Sequence, residues 1–72
     1  MMETAVVLWT IWTALTIGKV EAVPGEQFNS LETCNTYRIA LHERNVASGF
    51  LKKAESNNIG IERVCLPAGQ RP

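Results

Sequence analysis

No aspartate occurs in this chain of 72 residues, and it holds one histidine and one tyrosine. A nucleophile–base–acid triad then has few side chains to draw on, no strained nucleophile turn, and little scaffold to hold it rigid. His42-Glu43 begins like H-E-x-x-H, but Val46 stands where the second histidine belongs. Glycine-rich phosphate loops are missing, and no asparagine is followed two positions on by Ser or Thr, so there is no N-glycosylation acceptor. Neither charge dominates: seven cations face seven anions. That balance speaks against a nucleic-acid binder, which needs a basic patch to collect phosphates. Lys52-Lys53 reads as two solvated lysines on a helix face. Cysteine is scarce. Cys34 and Cys65 allow one intramolecular bridge. With His42 they make three soft ligands, without the close pairing of a C-x-x-C, so no metal and no cofactor is expected. The expectation is a protein that is not an enzyme.

What the chain does have begins with an apolar run, Ala5 to Gly18, closed by Lys19 and Glu21. Val20 and Ala22 are modest or small at the two positions a signal peptidase inspects. Cleavage between Ala22 and Val23 would make residues 1–22 a secretory signal peptide. The competing expectation is an uncleaved membrane anchor, because no Lys or Arg precedes the run and Lys19 follows it. About fourteen helical residues cover only ~21 Å of a ~30 Å hydrocarbon layer. Thr10, Ala14 and Gly18 recur at a spacing of four, which in a membrane helix permits close approach of a partner helix.

Residues 23–29 read as a linker or short strand, with Pro24-Gly25 breaking any continuing helix. Residues 30–67 form the expected mini-domain. Asn29 or Ser30 caps a helix, and Asn29 with Glu32 has the spacing of a capping box. Leu31, Cys34, Tyr37, Arg38 and Leu41 recur on one face at spacings of three and four. Asn45 to Gly49 interrupts the pattern, and a minor helix follows from about Ser48 to Ser56. Ser56-Asn57-Asn58 is a turn. Ile59 to Leu66 reads as a strand stopped by Pro67, with Ile61 and Cys65 sharing a face. Residues 68–72 are a tail.

A chain this short buries little surface and needs a staple. In an oxidising compartment Cys34 and Cys65 supply it. Closing a loop of about thirty residues contributes ~3.5 to 4 kcal/mol on the chain-entropy model. That is comparable with the whole net stability of a small domain.

The order of features resembles a loose group of tiny uncharacterised proteins of bacteria and their phages. The matching residues are Phe28, Ser30 and Cys34 at the opening of the helix, and Val64, Cys65 and Pro67 in the closing strand. The resemblance implies a secreted or membrane-tethered α/β miniature with one disulfide. It implies no catalytic residue and no activity.

These readings converge on an α/β miniature: a leader helix, then strand, helix, minor helix and strand, clipped by Cys34–Cys65. The expected function is that of a small exported binding protein with a protein partner in the cell envelope or outside the cell. Ile61, Val64 and Leu66 are the candidate edge-strand contacts, and a homo-oligomer is one form such pairing can take. The alternative is a single-span membrane miniprotein that acts on an integral-membrane partner through residues 5–18.

Overall fold

The computed structural model describes residues 5–72. It contains five elements: β1 (Val6–Ala14), β2 (Lys19–Phe28), α1 (Leu31–Ala47), α2 (Phe50–Ser56) and β3 (Ile59–Pro67). The strands form one sheet in the order β2-β1-β3, with β1 antiparallel to both neighbours. The two helices carry the chain from β2 over β1 to the far edge, where β3 begins.

The apolar N-terminal run, expected as a leader helix, is not helical in this structure. Its residues Val6 to Ala14 are the central strand of the sheet. The physical reason lies in composition. Val6, Val7, Thr10, Ile11 and Thr13 are β-branched, and Trp9 and Trp12 stand between them. Such side chains lose rotamer freedom in a helix and pack well on a pleated surface. Thr10, Ala14 and Gly18 accordingly make no helix face. Thr10 and Ala14 lie in β1, and Gly18 takes a left-handed φ of 67° in the turn to β2. Ala14 O accepts from both Ile17 N and Gly18 N to close that turn. Residues 23–29, expected as a linker or short strand, are largely strand, since β2 runs through Pro24 and Gly25 to Phe28. Met1 to Thr4, the start of the expected leader, lie outside the described residues.

A break in the β1–β2 register between Val7 and Trp9 sets Gly25 and Glu26 against Leu8 alone, just beyond the Trp9↔Pro24 pair. A Cβ on Gly25 would stand 2.9 Å from Leu8 O, so the backbones approach as only glycine permits. The β1–β3 ladder runs from Val6↔Pro67 to Ala14↔Ile59 without a shift.

The C-terminal half follows expectation more closely. Ser30 is the N-cap of α1, and its Oγ accepts from Thr33 N at 3.1 Å. Gly49, left-handed at φ 78°, separates α1 from α2. The inward stripe of α1 is Cys34, which is buried, with Arg38, Leu41 and Asn45 half-buried, spaced four, three and four. Leu31 and Tyr37, expected in that stripe, are exposed. Tyr37 instead stacks beside Phe28, with ring centroids 5.2 Å apart, and donates to Glu26 Oε1 at 2.9 Å.

The core is small. Val6, Leu8 and Cys34 are buried, with Phe28, Leu41 and Cys65 packed around them. The Cα envelope measures 46 × 27 × 12 Å, the thickness of one helical layer on one sheet. Both helices lie on the face of Val6, Leu8 and Cys65. The other face, with Val7, Trp9, Ile11, Val64 and Leu66, carries no helix. Arg71 and Pro72 of the tail come down beside Trp9, Ala22 and Pro24 there.

Candidate functional site

Cys34 and Cys65 form the expected bridge, with Cα atoms 6.2 Å apart at a sequence separation of 31. It joins the first turn of α1 to β3. Cys34 is completely buried. No free cysteine remains among the described residues.

β3 is an edge strand, and its ladder shows which groups it leaves free. Leu15 N donates to Asn58 O at one end, and Ala68 N donates to Ala5 O at the other. Bonded and non-bonded pairs alternate along an antiparallel ladder. The even positions Gly60, Glu62, Val64 and Leu66 therefore exchange bonds with β1. The odd positions Ile59, Ile61, Arg63 and Cys65 turn their N–H and C=O outward. Side chains alternate in the same rhythm. Those of Ile61, Arg63 and Cys65 face the helices, and those of Glu62, Val64 and Leu66 face the bare side.

The three residues expected as edge contacts thus divide. Ile61 offers outward backbone groups. Val64 and Leu66 have their backbone committed to β1 and present apolar side chains to the bare face. Sequence reasoning missed Ile59 and Arg63 as edge positions. Which parity faces outward depends on the register with β1, and β1 was expected elsewhere.

The second edge, on β2, is different. Pro24 lacks an N–H, and the register break distorts the strand beside it. Natural edges are commonly protected by such features, and β3 has neither between Ile59 and Leu66. A cleft of about 230 Å³ adjoins the outward groups of Ile61 and Arg63, lined also by Arg38, His42, Leu51 and Glu62. Arg38 Nε donates to Asn35 Oδ1 at 3.2 Å, leaving four guanidinium N–H groups. Strand alternation directs the Glu62 carboxylate to the opposite face. The cleft's side-chain charge is therefore cationic.

Ala22 and Val23, the expected cleavage pair, lie inside β2 opposite Ile11 and Thr10. His42 lines the cleft, and no group of three or more metal-ligating side chains occurs among the described residues. No helix among them is long and apolar enough to cross a membrane. Comparison with protein-family models, curated proteins and solved structures finds no match to this chain.

Proposed function

We propose that this chain is a non-catalytic binding protein of an extracytoplasmic compartment, and that the free edge of β3 takes up an extended segment of a protein partner as an added strand. The observation that carries the reading is the row of outward N–H and C=O groups at Ile59, Ile61, Arg63 and Cys65, in a strand of unbroken register. Strand addition draws its affinity from such backbone groups. The bridge supports the compartment, because disulfides persist where the surroundings are oxidising.

A second copy is the poorer occupant. Two-fold pairing of β3 centred on Glu62 or on Arg63 sets like charges directly opposite, and such pairs are destabilising. A partner segment of a different sequence avoids both.

Proline substitution separates the edge from the fold. Ile61→Pro removes one outward donor and leaves the ladder to β1 intact, as proline does on edge strands. Glu62→Pro removes an inward donor and serves as the fold-breaking control. Both are compared with wild type by cross-linking and co-purification from an extracytoplasmic fraction, with thermal unfolding measured alongside. Ile61→Pro is expected to keep its cooperative transition and lose the partner. Capture that survives Ile61→Pro in a folded protein would remove the edge from consideration.

A further inference from the structure

The turn between β1 and β2 is the most exposed apolar part of the described chain. Ile17 is 74% exposed, Val20 59% and Leu15 56%, with Val23 and Trp12 beside them at 41% and 36%. These residues are not a stripe on one face. Trp12 and Val23 lie on the helix side of the sheet, in an open cleft shared with Ala14 and Ile59 and flanked by Lys19 and Glu21. Val20 pairs with Thr13 and belongs to the bare side. Leu15 and Ile17 form the tip between them. A flat or grooved protein surface covers one side of such an element. An apolar medium covers all three.

Two further observations favour a lipid surface. The tip's backbone donors are largely satisfied from within: Leu15 N by Asn58 O, and Ile17 N and Gly18 N by Ala14 O. Entry into an apolar layer then strips few hydrogen bonds from water, the main cost of placing backbone there. From Ala5 to Val20 the single charged residue is Lys19, at the base of the tip. Lys19 pairs with Ala14, nearer the tip than Trp12, so its long side chain reaches back to anionic headgroups while Trp12, opposite Glu21, sits at the interface.

We infer that the β1–β2 hairpin end, Leu15 and Ile17 with Trp12, Lys19 and Val20, inserts shallowly into the surface of an anionic lipid bilayer. The rest of the fold stays in water and the chain does not span the membrane. The element is separate from the β3 edge, so the two sites can be occupied together.

The test uses the full-length oxidised chain and vesicles of phosphatidylcholine with or without about one third phosphatidylglycerol. Trp9→Phe leaves Trp12 as the only tryptophan, and its emission is read against lipid concentration together with vesicle flotation. The expected result is a blue shift and co-flotation with anionic vesicles, weakened by salt. Ile17→Glu, with an unchanged unfolding midpoint, lowers the apparent partition by about tenfold or more, in line with losing one large apolar side chain. Lys19→Gln reduces the preference for anionic vesicles. Ile39→Glu, on the exposed side of α1, leaves partition unchanged. The inference is overturned by a wild-type chain that stays with the buffer. It is equally overturned by binding that ignores Ile17→Glu or responds equally to Ile39→Glu.

Discussion

Leu8 stands directly opposite Cys65 in the β1–β3 ladder, and Cys65 is bonded to Cys34 at the start of α1. Even β1 positions form the non-bonded pairs with β3, in which facing side chains approach most closely. One contact therefore ties the central strand, the edge strand and the long helix together.

Replacing both cysteines by alanine is expected to cost about 2–5 kcal/mol, the usual range for losing a native bridge in a small domain. Urea unfolding of the double variant against the oxidised protein measures it. An unchanged midpoint would mean that the core of Val6 and Leu8 suffices alone.

Gly25→Ala tests the close approach of β2 to β1. The added Cβ meets Leu8 O at 2.9 Å, a backbone atom that yields only with its strand. Destabilisation of about 1–3 kcal/mol is expected, as for overpacking elsewhere. Thermal unfolding reads it, and a wild-type melting temperature would count against the register break described.

Removal of residues 1–22 takes away all of β1 and the first part of β2. The remaining chain has no strand between β2 and β3 to accept their bonds. A chain beginning at Val23 is expected to show no cooperative unfolding, and the folded protein to retain the Ala22–Val23 bond. Intact mass after alkylation without reduction checks the second point, with full length and no alkyl groups expected. A cooperative transition in the shortened chain would sink this prediction.

The phenol of Tyr37 is held above its ordinary value, chiefly because it donates to Glu26 and also because that carboxylate disfavours a second negative charge. Its folded-state value thus exceeds its unfolded one. The stabilising contribution is complete below about pH 10, the unfolded value, and fades as pH rises through the folded one. Ultraviolet titration is expected to show Tyr37 ionising late in the wild type and closer to ordinary in Glu26→Gln. Coincident curves would remove the bond from account.

The bridge, both helices and β3 were legible because each had local punctuation. Ser30 offers a cap, Gly49 and Asn58 take positive φ at the breaks, and Pro67 ends the last strand. The hairpin was not. A short apolar run cannot be told from a helix by periodicity, and only its β-branched and aromatic content pointed to a strand. Pro24-Gly25 hid β2, since its place beside a register break shows only once β1 is paired. The same gap concealed the site. Ile61 was visible as an edge residue, but the outward set of Ile59, Ile61, Arg63 and Cys65 follows from which residue of β1 faces which residue of β3.

The central strand is the first part of the sheet to be synthesised, and one of its two neighbours is the last. Val6 finds Pro67 only once both helices and β3 have also been made. Pairing so distant in sequence is slow, and an apolar segment waits exposed in the interval. During that interval anything that gathers apolar N-terminal segments competes with β3 for the same residues. Whether Val6 to Ala14 ends as the middle of a sheet or in the grip of such a factor is then a race between closure and capture, and a slower-folding variant should shift its outcome.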